Sequence, residues 1–254
     1  MNVAVIGAAG WVGRAVLEHF ADRHQVRAFD YNPEAWEQFA RYHDDWEGER
    51  VFGNVADFYE VNAALDGMEG VVNLTAYFGY RNPQENDVNP FLVNVKGMWN
   101  ILEAARRNGL RRVVQMGSCV VQRPDGVFLS ADERSVEGSL YGITKRLQEE
   151  VCRQYFDAYG VRTIILRPCG IGDSRLGINR DGTPALGLGA VCRYDLAEAC
   201  HLALESTIDF DIFHMASHPE ADKYCNVARS RELLGLEYQG FFSLEQKGHG
   251  DHPV

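Results

Sequence analysis

Short apolar, β-branched runs recur along the chain and alternate with longer stretches of helical character. Strands that alternate with helices in this way are typical of a parallel sheet covered by helices on both faces. The strand-like runs are Val3–Ile6, Gln25–Phe29, Val51–Phe52, Val71–Leu74, Val113–Met116 and Arg162–Leu166. The pattern therefore predicts an α/β fold with a doubly wound parallel sheet.

Capping signals mark the predicted helices. Asn32 can cap a helix that follows the second strand, and Pro33 and Glu34 suit its first turn. The pair Asn108–Gly109 ends a helix that begins near Val88.

Two irregular stretches, Tyr77–Pro90 and Cys169–Gly189, begin where predicted strands end. Ligands of open α/β sheets bind at the carboxyl ends of the strands. The second stretch is rich in glycine and contains Arg175 and Arg180, so we expect it to close over a substrate. The alternative is an exposed connection without a role.

The 254 residues, 46% of them hydrophobic, are enough for one large α/β domain. Within this single domain over residues 1–254, we expect residues 169–190 and 209–254 to form a small lobe on the substrate side. No apolar stretch is long enough to span a membrane, and Met1 leads almost directly into the first strand. We therefore expect a cytoplasmic protein without a membrane partner.

Charge and cysteine content exclude other classes. The formal net charge of −11 would repel a nucleic-acid backbone over most of the surface, so nucleic acid is not an expected partner. The six cysteines follow no disulfide or zinc spacing, and we expect them to be reduced packing residues. His249, Asp251 and His252 could ligate a metal, but a polar chain end seldom builds such a site, and none is expected.

A glycine-rich turn, Gly7–Gly13, directly follows the first strand. Gly7 permits a tight turn, Gly10 leaves room for a pyrophosphate, and Gly13 lets the next helix pack closely on the strand. Asp30 ends the second strand, where a carboxylate can accept hydrogen bonds from a ribose diol. No cation follows it closely, so the pattern favours NAD over NADP, with a glycine-rich turn that binds nothing as the alternative.

Tyr141 and Lys145 lie one helical turn apart, so a phenol and an ammonium project from the same helix face. Ser118 follows the fifth strand and offers a hydroxyl. Tyr141 would exchange a proton with a substrate oxygen that Ser118 positions, while Lys145 would bind the nicotinamide ribose and depress the pKa of the phenol. An exposed Tyr and Lys on a helix surface is the alternative.

With these motifs the chain resembles the extended short-chain dehydrogenases/reductases, in their NAD-dependent epimerase/dehydratase branch. The resemblance extends over nearly the whole chain. It implies a Rossmann sheet, an NAD cofactor and the Ser-Tyr-Lys triad. The motifs are GAAGWVG at Gly7–Gly13, Asp30, GNVAD at Gly53–Asp57, VVNLTA at Val71–Ala76, NVKGMWNILEAAR at Asn94–Arg106, Ser118, YGITK at Tyr141–Lys145, LRP at Leu166–Pro168 and RYDLAEACHLAL at Arg193–Leu204.

The same resemblance implies further contacts with the cofactor. Asn54 stands where the family usually has Asp, and its amide can still accept from the adenine amino group. Asn94 would help to hold the catalytic region together. The other implied cofactor residues are Trp11, Val12, Val55, Leu74, Thr75, Ala76 and Pro168.

The choice of reaction rests on what surrounds the triad. Cys119 follows Ser118 where the related dehydratases need an acidic pair, so dehydration is disfavoured. Only the last third of the chain follows Pro168, which favours a small substrate over a nucleotide sugar. In size and layout the chain is similar to the uronate dehydrogenase type, which oxidises a free sugar acid.

For such a substrate, Arg175 or Arg180 would clamp the carboxylate. Tyr77 and Cys119 would line the pocket. Sugar epimerisation and a non-catalytic NAD-binding sensor or scaffold stay open as alternatives. The amphipathic helices Asn94–Arg106 and Leu140–Tyr155 would pair with their copies in a homodimer.

Overall fold

The structure is a computed structural model that describes residues 1–43, 45–78, 87–122, 138–185, 187–223, 225–240 and 242. Its strands are β1 (Asn2–Ile6), β2 (Gln25–Asp30), β3 (Glu49–Phe52), β4 (Gly70–Asn73), β5 (Arg112–Met116), β6 (Thr163–Pro168), β7 (Gly170–Asp173), β8 (Ile178–Asn179), β9 (Ala190–Cys192) and β10 (Phe210–Met215). Its α-helices are α1 (Trp11–Phe20), α2 (Phe58–Leu65), α3 (Gly97–Asn108), α4 (Leu140–Tyr159), α5 (Arg193–Glu205) and α6 (Ala228–Leu234).

Seven parallel strands form the central sheet in the order β10-β6-β5-β4-β1-β2-β3. The chain winds outwards from β1 to β2 and β3 on one side and from β4 to β5, β6 and β10 on the other. The direction of winding therefore reverses between β1 and β4, and ligands bind at the carboxyl edge of such a switch point. The doubly wound α/β fold predicted from the sequence is confirmed.

Two apolar layers cover the sheet. Helices α1 and α5 pack on one face, where Leu17 and Leu196 are buried. Helices α2, α3 and α4 pack on the other face through residues such as Leu65 and Ile101. Truncation of one such Leu or Ile to Ala costs about 2–5 kcal/mol, so these layers hold the carboxyl edge of the sheet in a fixed shape.

The segment after β2 differs from the predicted helix. Asn32 does act as a cap, since its side chain accepts a hydrogen bond of 2.9 Å from the Ala35 N–H, but only short 3₁₀ turns follow. Trp36 stacks between the guanidinium groups of Arg14 and Arg50, each 4.4 Å from the ring centre. The capping signal thus predicted where the turn begins, whereas tertiary stacking decides how the segment continues.

Helix α3 ends as the sequence predicts. Gly109 has a φ of +66° and donates to the last carbonyls of the helix. At its other end, a π-helical turn, Phe91–Lys96, leads into α3.

A small three-stranded sheet, β8-β7-β9, begins within the 169–190 segment expected to form part of the substrate-side lobe and extends past its end, since β9 runs to Cys192. The boundary expected for the second part of the lobe needs correction, because β10 pairs with β6 and extends the central sheet. The N–H groups of Gln239 and Gly240 each donate to Asp195 on α5 at 2.9 Å, and Phe242 packs with Ala185 and Ala190 of the lobe. Among the described residues, we find no helix that is both long and apolar enough to span a membrane.

Candidate active site

A cleft of about 1180 Å³ opens at the carboxyl edge of the sheet, beside the switch point between β1 and β4. The turns after β1, β2, β4, β5 and β6 all contribute to it. Of the site residues predicted from the sequence, the cleft is lined by Gly7, Gly10, Trp11, Val12, Gly13, Asp30, Asn54, Val55, Leu74, Thr75, Ala76, Tyr77, Ser118, Cys119, Tyr141, Lys145, Pro168 and Arg180. Asn94 and Arg175 do not line it.

The glycine-rich turn brings α1 into direct contact with the end of β1. Gly7 has a φ of +84°, a region that favours glycine. A Cβ atom at Gly13 would lie 2.3 Å from the Gly7 carbonyl oxygen and 2.4 Å from that of Ala8, so no larger residue fits. No side chain caps the start of α1 at Gly10, which leaves the first N–H groups of the helix facing the cleft for an anion.

Asp30 is fixed at the end of β2. Its carboxylate accepts hydrogen bonds of 2.8 Å from the Ala9 N–H and from the Tyr31 N–H. Burial raises the pKa of Asp30, while the two N–H groups and the nearby Arg14 act in the opposite direction. Among the described residues that line this end of the cleft, none is Arg or Lys.

The loop after β3 provides the adjacent wall. The Val55 carbonyl accepts a hydrogen bond of 2.7 Å from the buried amide of Asn100, and the Val55 side chain packs against Gly97. Asn54 accepts from the Ala56 N–H at 2.9 Å. These contacts hold the backbone at this position against α3.

A cleft of this size, an uncapped helix start, a turn without space for a Cβ atom and a buried carboxylate together fit a dinucleotide. They would hold its pyrophosphate and one ribose.

Lys145 is almost completely buried, at 1% exposure. Its Nζ donates to the Met116 carbonyl at the end of β5, at 3.0 Å, and lies 5.9 Å from the centre of the Tyr141 ring. Burial lowers the pKa of Lys145 to about 8, and the neighbouring Glu149 opposes this shift. Ser118 follows two residues after Met116, so α4 and the end of β5 bring the three predicted catalytic residues to the same part of the cleft.

Behind Lys145 lies an ion pair that the sequence analysis missed. Arg167 binds Glu149 through two hydrogen bonds, of 2.9 and 2.5 Å, and both side chains are buried. Glu149 lies one helical turn after Lys145, and this spacing could have indicated that these two side chains are neighbours. It could not indicate that Arg167, on β6, is the partner of Glu149 in the ion pair.

Asn94 is fully buried and connects two walls of the site without lining the cleft. Its side-chain oxygen accepts from the Tyr77 N–H at 2.8 Å. Its amide donates to the Tyr77 carbonyl at 3.0 Å and to the Thr144 hydroxyl at 2.9 Å. Asn94 therefore ties the loop after β4 to α4 next to Lys145.

The two candidate arginines lie in different surroundings. The Arg180 guanidinium lies 4.3 Å from the centre of the Phe78 ring, which stacks on the Tyr141 ring at 4.8 Å. Arg175 instead stacks on Tyr194 at 3.5 Å and pairs with Glu18 at 3.4 Å, outside the cleft. Of the two, only Arg180 lies beside the predicted catalytic residues.

His249, Asp251 and His252, considered as metal ligands in the sequence analysis, lie outside the described residues. A second and smaller cavity, of about 480 Å³, lies at the amino edge of the sheet and is lined by residues such as Asn2 and Gln25. It contains none of the predicted site residues.

The model of the NAD dependent epimerase/dehydratase family matches residues 3–172. Uronate dehydrogenase of Agrobacterium fabrum is 31% identical over 168 residues, which cover 65% of this chain and 60% of that protein. NAD-dependent glucose-6-phosphate dehydrogenase of Haloferax volcanii is 25% identical over 252 residues, which cover 93% and 92% of the two chains. A solved short-chain dehydrogenase/reductase superfamily protein from Agrobacterium tumefaciens, with bound NAD, superposes with a TM-score of 0.77 at 22% identity and covers 94% of this chain and 93% of its own.

The family match confirms the resemblance that the sequence motifs carry and, with it, NAD as the cofactor. The alignment with the uronate dehydrogenase spans only about three fifths of that protein's length. The structural likeness confirms the Rossmann-type fold.

Proposed function

Because the chain belongs to the NAD dependent epimerase/dehydratase family, we propose that it is an NAD-dependent dehydrogenase that oxidises a hydroxyl group of a small sugar or sugar acid. The observation that carries this proposal is the arrangement of Ser118, Tyr141 and Lys145 along one wall of the dinucleotide-sized cleft. The similarity to uronate and glucose-6-phosphate dehydrogenases supports the substrate class.

The turn Gly7–Gly13 and the start of α1 would hold the pyrophosphate of NAD, and Asp30 would hold the adenosine ribose. Asn54 and Val55 would flank the adenine. Leu74, Thr75 and Ala76 would line the middle of the cleft, and Pro168 would lie near the nicotinamide carboxamide. When bound, NAD supplies the acceptor for a hydride from the substrate carbon.

Side chains of the site would accept the proton of the substrate hydroxyl. Tyr141 Oη takes the proton of the substrate hydroxyl as the carbonyl forms, and Ser118 Oγ positions the same oxygen by a hydrogen bond. The Lys145 ammonium stabilises the phenolate through its positive charge in a cleft of low dielectric constant. Since Lys145 is anchored on the Met116 carbonyl, its charge is held in place before substrate binds.

Arg180 supports an acidic substrate. Its guanidinium is exposed and stacks on Phe78, which itself stacks on Tyr141, so a cation lies two rings away from the proposed proton acceptor. An Arg fork can hold a carboxylate by two parallel hydrogen bonds. Tyr77 and Cys119 would line the pocket between Arg180 and Tyr141.

A panel of free sugars, sugar acids and nucleotide sugars tests the proposal, with NADH absorbance as the readout. We expect one NADH per substrate molecule, and the highest kcat/KM for a sugar acid. Epimer formation without net NADH would instead establish the epimerase alternative. NAD binding without turnover of any compound would establish a sensor or scaffold.

We further propose that the protein is a homodimer that works in the cytoplasm. Trp99 on α3 and Ile143 and Leu147 on α4 are partly exposed large apolar residues on neighbouring helices, as a helix-to-helix interface between two copies requires. None of the six cysteines, all of which lie in the described part of the chain, forms a disulfide, which suits a reducing compartment. The molar mass in solution, measured by light scattering, tests the dimer.

A further inference from the structure

Three potential metal ligands meet at the amino edge of the sheet, at the opposite end of the strands from the NAD cleft. His24 immediately precedes β2, and His201 and Glu205 lie one turn apart near the end of α5. One ligand atom from each of the three residues lies within 4.8 Å of the other two. No metal spacing is visible in the sequence, because His24 and His201 are 177 positions apart.

The two imidazoles are already close to the spacing that a metal ion requires. His24 Nε2 and His201 Nδ1 share a hydrogen bond of 3.0 Å, which the ion would replace. Two nitrogens bound to one tetrahedral zinc at about 2.0–2.1 Å lie about 3.3 Å apart, so the rings need to separate by only a few tenths of an ångström. Glu205 is exposed, and its flexible side chain can close the remaining distance.

His24 is the ligand that lies in the interior of the protein. His24 is buried, at 6% exposure, and its Nδ1 atom has no hydrogen-bond partner among the described residues. The atom that faces His201, and that would bind the ion, is His24 Nε2.

The other carboxylate on this part of α5 is already paired. Glu198 lies on α5 two turns before Glu205, where it binds His19 at 2.5 Å and Arg23 at 3.0 Å. These contacts leave Glu205 as the carboxylate that faces the two histidines.

We propose that His24, His201 and Glu205 bind a Zn²⁺ ion, with water as the fourth ligand. Two imidazoles and one carboxylate with a free fourth position are a common donor set for zinc. The ion would link the segment that follows α1 to the end of α5. These two helices cover one face of the sheet. The ion would take no part in the chemistry proposed for Ser118, Tyr141 and Lys145, which lie at the other edge of the sheet.

The test is equilibrium dialysis of the full-length chain with Zn²⁺, in a variant that also carries His249→Ala and His252→Ala to remove the C-terminal histidines. We expect one Zn²⁺ per chain, and an affinity that falls by about a hundredfold in His201→Ala and in Glu205→Gln. Glu198→Gln is the matched control, on the same helix and with the same chemical change, and should retain the affinity. Zinc should raise the unfolding temperature of the parent but not that of His201→Ala.

X-ray absorption of the zinc-loaded protein gives an independent readout that does not depend on how the variants fold. We expect only nitrogen and oxygen ligands, including two imidazoles. Sulfur ligands would overturn the proposal, as would the absence of binding once the terminal histidines are replaced. Loss of zinc binding in Glu198→Gln, together with retention in Glu205→Gln, would show that a different carboxylate binds the ion. This result would also overturn the proposal.

Discussion

The two ends of the proposed NAD cleft are built in different ways. The end that would hold the adenosine and pyrophosphate consists largely of backbone, with the Gly7–Gly13 turn, the start of α1 and N–H groups that fix Asp30. The end beside Tyr141 consists of side chains from distant segments, such as Phe78 and Arg180, stacked on one another. The close approach of the backbone at Gly7 and Gly13 tolerates no larger residue, whereas a stack of side chains can be rebuilt to suit another substrate.

The largest expected effect comes from removing the proposed proton acceptor. We expect Tyr141→Phe to lower kcat by about a thousandfold, since a positioned acid-base group contributes about 10²–10⁴ to the rate. NAD affinity, measured by quenching of protein fluorescence, should change little. Full turnover in this variant would show that another group moves the proton.

The backbone end is tested most directly by Gly13→Ala. Its Cβ would meet the carbonyl oxygens of Gly7 and Ala8 at 2.3 and 2.4 Å, and neither can move without displacing β1 or α1. We expect NAD affinity to fall by at least about tenfold, along with a loss of about 1–3 kcal/mol in the free energy of unfolding. Gly138→Ala is the control, because a Cβ there meets nothing within 4 Å among the described residues. Equal behaviour of the two variants would contradict the proposed role of the turn.

The side-chain end is tested by Arg180→Ala. We expect KM for a sugar acid to rise about tenfold, with kcat and the KM for neutral sugars little changed, because one bidentate contact with the carboxylate is lost. Arg175→Ala is a matched control, since Arg175 is bound to Glu18 and Tyr194 outside the cleft. If Arg175→Ala raised KM for the sugar acid and Arg180→Ala did not, the substrate carboxylate would lie beside Arg175 and not beside Arg180.

A smaller effect is expected in the pH profile. Burial lowers the pKa of Lys145 to about 8, so its ammonium is lost as the pH rises through that value, and kcat should fall above it. Glu149 opposes the shift, so Glu149→Gln should move the fall to lower pH. Glu150→Gln, at an exposed neighbouring position, should leave the profile in place.

The contribution of Lys145 to the free energy of unfolding changes with pH in the opposite direction from kcat. The unfolded chain keeps the proton up to the ordinary lysine pKa of about 10.4, so between the two pKa values it binds more protons than the folded chain does. The contribution of this group to the free energy of unfolding therefore increases with pH over that range. Urea unfolding of the wild type and Lys145→Met at several pH values measures the difference.

Local signals in the sequence predicted the parts of the molecule that depend on local geometry. The buried strands, the Gly109 cap and the Gly7–Gly13 turn follow from residue type and spacing. The Tyr141 and Lys145 spacing likewise predicted a shared helix face, and both residues line the cleft.

Contacts between distant segments could not be read in the same way. Arg175 and Arg180 belong to one loop and look equivalent in the sequence, but the aromatic rings that each guanidinium meets, Tyr194 and Phe78, come from different parts of the chain. The Arg167 pair with Glu149 depends in the same way on how α4 packs against the sheet. Long-range packing, rather than residue type, decides these positions.

The anchor of Lys145 is a main-chain atom, and this has a consequence for how the enzyme can evolve. The Met116 carbonyl receives Lys145 Nζ at 3.0 Å and also the side-chain amide of Gln115 at 2.6 Å. A carbonyl persists whatever residue occupies its position, so substitutions at 116, which lines the cleft, can remodel the pocket while the lysine keeps its acceptor. New substrate preferences can therefore arise at this strand end without loss of the group that holds the lysine of the proposed proton transfer.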